Sequence, residues 1–274
     1  MKIYIVTDLE GTSGVGSFDV HDPHSPQDAA RRARWLELWA EEVNAAVMGA
    51  LDAGATEIVV VDNHSSGDSL AISQLHASVR LVHGGARPTW LPLLDASYAA
   101  VIIIGQHAMA GDRSGHLRHT YSRRRLEWVR LNGDEIGEAG LIAGIAGEHN
   151  LPVVCLTGDD RAVDEFITLA PAAVGVAVKQ SLSKRACVSL PLTECRERIR
   201  AGTAAALARR HEIPPVRFAV PMSLRVRYHR RDAWRAPARW LHSGTRLGWH
   251  GGRDLHLRGD CLQVLWDRFI GLSR

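Results

Sequence analysis

The chain has 274 residues, 46% hydrophobic and 23% charged, with a formal net charge of +3. That balance is ordinary for a folded globular protein and excludes extended disorder. The longest apolar runs, such as 99–105, fall far short of the roughly 20 residues a membrane-spanning helix needs.

In chain order, Lys2–Thr7 predicts a buried strand. Asp8 and Glu10 cut its apolar run too short for a secretory signal, and a cytoplasmic location is expected. Gln27–Ala53 has the pattern of a long amphipathic helix stopped by Gly54. Glu57–Val61 and Val79–His83 follow as strands, and Ala99–Ile104 as a strongly apolar one. Leu126–Leu131 with Asn132-Gly133 reads as one arm of a hairpin. Gly137–His149 is helical and rich in small residues, and Leu151–Leu156 is another apolar strand. Leu192–Arg210 predicts a helix, after which Pro214-Pro215 breaks the chain. Val216–Tyr228 and Asp254–Leu257 alternate as strands do, and Cys261–Leu272 predicts a terminal helix.

Apolar strands alternating with helical stretches predict an α/β fold, a mainly parallel central sheet flanked by helices. The change of character after Ser183-Lys184-Arg185 suggests a boundary near residue 190. Residues 1–190 then form the main α/β domain and 191–274 a smaller C-terminal α+β portion, with residues 229–253 a candidate lid or oligomer contact. The cysteines Cys155, Cys187, Cys195 and Cys261 are scattered without a C-x-x-C pair, which argues against a disulfide framework or a cysteine zinc site.

Charge is unevenly spread. Residues 1–182 carry 14 Lys and Arg against 23 Asp and Glu, whereas residues 183–274 carry 19 against 7. A basic tail is one signature of nucleic-acid binding. No RNA- or DNA-binding motif accompanies it, and a coding bias toward Arg together with contact with the acidic N-terminal part is the preferred account. Neither a nucleic-acid nor a membrane partner is expected.

The chemistry gathers where apolar strands end. The first runs into Asp8-Leu9-Glu10, the second into Asp62-Asn63-His64, the fourth into Gly105-Gln106-His107. A later one runs into Gly158-Asp159-Asp160. Open α/β sheets bind ligands outside the carboxyl ends of their strands. Along an extended strand, residues i and i+2 share a side, so Asp8 and Glu10 can reach one ion. Asp62 and His64 have the same relation, one ligating while the other holds a ligand in place. Histidines and carboxylates without cysteine suit Zn²⁺ in a hydrolytic site, with Mn²⁺ or Co²⁺ also compatible. The number of ligands points to a pair of ions sharing a carboxylate. Asp159-Asp160 either adds a further metal-binding edge or caps the helix that begins near Arg161; capping is preferred.

These residues resemble the DppA-type D-aminopeptidase family of zinc metallopeptidases. The likeness begins in Lys2-Ile3-Tyr4-Ile5-Val6-Thr7-Asp8-Leu9-Glu10-Gly11 and continues at Glu41-Glu42-Val43-Asn44, Asp62-Asn63-His64-Ser65 and Gly105-Gln106-His107-Ala108. It runs on through Gly115-His116-Leu117-Arg118-His119-Thr120, Gly137-Glu138-Ala139-Gly140, Gly158-Asp159-Asp160-Arg161 and Val178-Lys179-Gln180-Ser181. The resemblance implies two zinc ions bridged by Asp8, with Glu10 and His64 completing one and His107 and Glu138 the other. It implies His119 as the catalytic residue, small peptides with an N-terminal D-residue as substrates, and a homo-oligomer, a homodecamer in the family. The tail departs from the family: it is rich in Arg and carries Trp234, Trp240, Trp249 and Trp266. That leaves room for an amidase with the same metal core acting on a non-peptide or modified amide. A non-catalytic nucleic-acid-binding protein using the basic tail is the rival from a different class. The Arg-dense loop Gly111–Arg125 reads either as a binder of peptide carboxylates or as a solvated charged loop.

Overall fold

The structure, a computed structural model, describes residues 1–20, 22, 24–229, 246–250 (backbone only) and 253–271. The four cysteines are free. Among the described residues no helix is long and apolar enough to cross a membrane. Most of the candidate lid at 229–253, with Trp234 and Trp240 and the Trp249 side chain, lies outside the described part.

A seven-stranded sheet forms the centre, in the order β3 (Val79–Val82), β2 (Glu57–Asp62), β1 (Lys2–Thr7), β4 (Ala100–Gln106), β7 (Val153–Asp159), β8 (Val174–Ser183) and β9 (Ala186–Ser189). All neighbours run parallel except β8 and β9. The fold is therefore the expected α/β arrangement with a mainly parallel sheet. Its strands are covered on both sides, which is why they read as unbroken apolar runs. Ile3 and Ile5 of β1 pack with α1 (Pro26–Asp52) and α4 (Leu192–Ala208). Tyr4 and Val6 belong to the opposite core, with α2 (Glu138–Glu148), α3 (Asp160–Leu169) and α5 (Leu262–Ile270). Ser25 starts α1 by accepting a hydrogen bond from the Asp28 amide, with Pro26 in the first turn.

The second core is closed by an antiparallel sheet, in the order β11 (Arg246–His250), β12 (Asp254–Gly259), β10 (Met222–Tyr228), β5 (Leu126–Leu131) and β6 (Asp134–Glu135). Asn132 and Gly133, with φ of 54° and 106°, turn the β5–β6 hairpin as the Asn-Gly pair predicts. Residue 190 does not mark a break between these sheets. β5 and β6 precede it yet pair with β10 and its neighbours, while α4 follows it yet packs on α1.

Two connections leave β1 and its neighbours on opposite sides: β1 feeds β2 on one flank, whereas β4 returns to the other. The carboxyl ends of β1 and β4 thus flank the point where strand order reverses, the usual ligand crevice of such sheets.

Candidate metal centre

Asp8 and Glu10 follow β1, His64 follows β2, and His107 follows β4. Glu138 opens α2, and His119 lies in the loop joining β4 to β5. The structure brings all six together, and most are nearly inaccessible: Asp8, Glu10, His64, His107 and Glu138 are all buried. The chain leaves the strand at Thr7, so Asp8 and Glu10 meet through the bend and turn of Asp8–Gly11 and not through strand alternation.

Asp8 faces two imidazoles with its two oxygens. Oδ1 is 3.1 Å from His64 Nδ1, and Oδ2 is 3.1 Å from His107 Nε2. Glu10 Oε2 is also 3.1 Å from His64 Nδ1, and Glu138 Oε1 is 3.4 Å from His107 Nε2. Two three-residue groups result, Asp8–Glu10–His64 and Asp8–His107–Glu138, each with ligand atoms within 4.8 Å of one another and with Asp8 common to both. Glu10, His107 and His119 form a third.

The hydrogen bonds decide which nitrogens remain available. His107 Nδ1 donates to the Ala108 carbonyl at 2.9 Å, and His119 Nδ1 donates to the Leu117 carbonyl at 2.8 Å. A neutral ring then leaves Nε2 as a lone pair. His64 is turned the other way: Nε2 faces Asp19 Oδ2 at 3.5 Å, and Nδ1 faces the carboxylates. Glu10 Oε2, His64 Nε2 and His107 Nε2 are buried and make no well-aligned hydrogen bond, only the charged contacts just given. Buried polar atoms are rarely left so. Atoms of this type, converging without a well-aligned hydrogen bond, fit cations between them.

Electrostatics agree. Burial works against the charged form of Asp8, yet the imidazoles of His107 and His64 against it hold its carboxyl well below the usual range. Burial likewise opposes a charged His64 and His107. The pull of Glu10, and contacts with Asp19 and Asp8, outweigh it for His64. Asp8 and Glu138 do so for His107, and both imidazoles are held well above their ordinary value. The carboxylates thus call for positive charge, which dications supply. His119 goes the other way: burial, then repulsion from His107, push its pKa down.

The surroundings hold this arrangement. Gly105 has φ +74°, and a Cβ there would lie 2.0 Å from the Asp8 carbonyl. Only glycine lets β4 approach the Asp8 turn so closely. The β4–β7 pairing is irregular between Ile103 and Gln106, just before His107. Asp62 does not join the cluster; its carboxylate accepts from the amides of His64, Ser69 and Leu70 and shapes the loop that presents His64. Asp159 caps α3 through the Ala162 amide at 2.8 Å and accepts from the Ala108 amide at 3.0 Å. Asp160 accepts from the Ser181 amide. Both are structural. The Glu138 carboxylate is fixed by the Tyr121 amide at 2.7 Å.

Sequence reasoning gave no role to three contributors. Asp19 orients His64 and is itself held by Arg32 at 2.9 Å. Phe18 packs edge-on to His119. Lys179, fully buried, donates to the carbonyls of Glu10, Thr12 and Val15 and so fixes the Glu10 turn. An isolated lysine inside an apolar strand was the available signal for the last; nothing local marks the first two.

Known proteins carry the same arrangement of chain. A curated D-aminopeptidase of Bacillus subtilis (strain 168) is 30% identical over 220 residues, which is 79% of this chain and 77% of the relative. The solved structure of the Zn-dependent D-aminopeptidase DppA from Bacillus subtilis, described as a self-compartmentalizing protease, superposes with a TM-score of 0.86 at 26% identity. The match covers 99% of this chain and 96% of that one. The family model described as D-aminopeptidase spans residues 1–246, and the chain belongs to that family.

Proposed function

We propose that this chain is a zinc-dependent aminopeptidase that releases an N-terminal D-residue from short peptides, with Asp8, Glu10, His64, His107 and Glu138 as metal ligands. The observation that carries the reading is the pair of three-residue groups sharing Asp8, with Glu10 Oε2 and His107 Nε2 buried and making no well-aligned hydrogen bond. Family membership and the zinc dependence named for the superposed relative support it.

Asp8 would bridge two ions, Glu10 and His64 completing one, His107 and Glu138 the other. Bound there, the ions supply a water of lowered pKa and polarise the scissile carbonyl. The remaining work falls to the chain. His119, neutral and fixed through Nδ1 to Leu117, presents Nε2 to the site, where it takes up a proton and delivers it to the leaving amine. Asp19 keeps His64 Nδ1 turned towards Asp8 and Glu10. Lys179 holds the Glu10 backbone, so its carboxylate does not drift when the site is loaded. The self-compartmentalizing description of the relative supports a homo-oligomer, which we extend to a homodecamer.

Metal analysis of the purified protein, joined to a dipeptide panel of defined chirality, tests the reading. About two zinc ions per chain and cleavage of D-alanyl but not L-alanyl dipeptides are expected, with activity lost to a chelator and restored by zinc. Hydrolysis of non-peptide amides alone would turn the assignment to an amidase. Light scattering gives the assembly size.

A further inference from the structure

The cleft that opens on the cluster encloses about 380 Å³, and Arg123, Arg124 and Arg125 line it together with His119 and Glu138. None of the three arginines is ion-paired with a carboxylate among the described residues. Arg123 lies 4.6 Å over the ring of Phe18, and that ring packs on His119 with centroids 5.6 Å apart. Arg125 lies 5.7 Å over Tyr228. Aromatic rings brace these two guanidinium groups without neutralising them. Lys184 stands near Arg123: burial, and then Arg118, Arg185 and Arg123, disfavour its charge.

Charge balance sharpens the point. The cleft carboxylates Asp8, Glu10, Asp19 and Glu138 match two dications, and Asp19 is further paired with Arg32. With the metals bound, the arginines are left as the uncompensated charge of the cleft. In such a site an anionic substrate is concentrated and a cationic one repelled.

We propose that Arg123 and Arg124 bind a carboxylate on the leaving portion of the peptide, so that preferred substrates carry an anionic group directly after the scissile bond. This rests on the two-ion aminopeptidase reading. His119 delivers its proton to the leaving amine, so the released residue lies beside His119, and from there Phe18 leads to Arg123. A guanidinium offers two parallel N–H donors that match the two oxygens of a carboxylate. That carboxylate is either the free carboxyl terminus of a dipeptide or an acidic side chain.

The zinc-loaded enzyme is assayed with D-alanyl-D-glutamate, D-alanyl-D-alanine and D-alanyl-D-alanine amide. The expected order of kcat/KM is glutamate, alanine, amide, with roughly tenfold between the ends. The first step reports the side-chain carboxylate and the second the terminal one. Arg123→Met and Arg124→Met should raise KM on the two acids by about the same factor, change KM on the amide least, and move kcat little; Arg124→Lys should recover part of the loss. Zinc content and thermal melting show that each variant is loaded and folded. Independently of any variant, added salt should raise the wild-type KM for the acids and not for the amide. Equal kcat/KM on all three substrates, or a salt effect common to all, overturns the proposal and makes the arginines a solvated rim. If none of the three is cleaved, the aminopeptidase reading itself fails and takes the proposal with it.

Discussion

The imidazole rings of His107 and His119 stack face to face, with centroids 3.8 Å apart and planes 11° from parallel. Two cationic rings at that spacing repel, so only one carries charge easily. Asp8 and Glu138 favour the charged form of His107, a role that a bound dication takes over, while burial and then His107 lower the pKa of His119. In the proposed two-ion site His107 offers Nε2 to a metal, and His119 is left to carry a proton.

His119→Ala should accordingly lower kcat by roughly 10² to 10⁴, with zinc content unchanged. Turnover and metal analysis on the same preparation check this. Parallel loss of metal would reassign His119 as a ligand, through its group with Glu10 and His107.

Asp8 is common to both ligand groups, whereas His64 and Glu138 each belong to one. Asp8→Ala is expected to lose both ions, and His64→Ala or Glu138→Ala about one. The measurement is zinc per chain after dialysis at fixed free zinc. Equal retention in all three variants would sink the shared-carboxylate arrangement.

Gly105 tests how the fold positions the site. An alanine there meets a positive φ and a Cβ contact of 2.0 Å with the Asp8 carbonyl. Gly105→Ala should destabilise the chain by about 3 kcal/mol or more and weaken zinc binding, because relief requires the Asp8 turn to move. Thermal melting in the metal-free state separates the first effect from the second.

Glu42 predicts a pH dependence away from the metal centre. Burial pushes its carboxyl up to about 7, against hydrogen bonds from the Ser13 amide and Cys195. A carboxyl whose pKa is higher folded than unfolded binds its proton more tightly in the native state. Its contribution is therefore fully present below the ordinary value of 4.5 and is lost as pH rises through about 7. Glu42→Gln should melt near the wild type at pH 5 and higher at pH 8, by on the order of 3 kcal/mol in stability. A less stable variant at pH 8 would mean that the ionised carboxylate is paired, with Lys179 the nearby cation.

Much of the site is legible before folding is considered. β1, β2 and β4 are buried on both faces, so they stand out as apolar runs, and the polar residue ending each run marks the sheet edge. Asp8, His64 and His107 are found that way. Boundaries shift where pairing continues past the apolar run: β4 reaches Gln106 because Gly105 lets the chain stay close to the Asp8 turn. Asp19 and Phe18 sit in a segment without periodicity, and their contact with His64 and His119 follows from long-range packing alone.

The sequence by itself determined which strands form and which ligand types they deliver, since burial on a sheet and polarity at its edge are local patterns. Tertiary structure decided that β1 lies between β2 and β4, that Asp8 faces two histidines at once, and which nitrogen each histidine offers. Those depend on pairing between segments some 50 to 100 residues apart and on single backbone carbonyls, which no local spacing encodes.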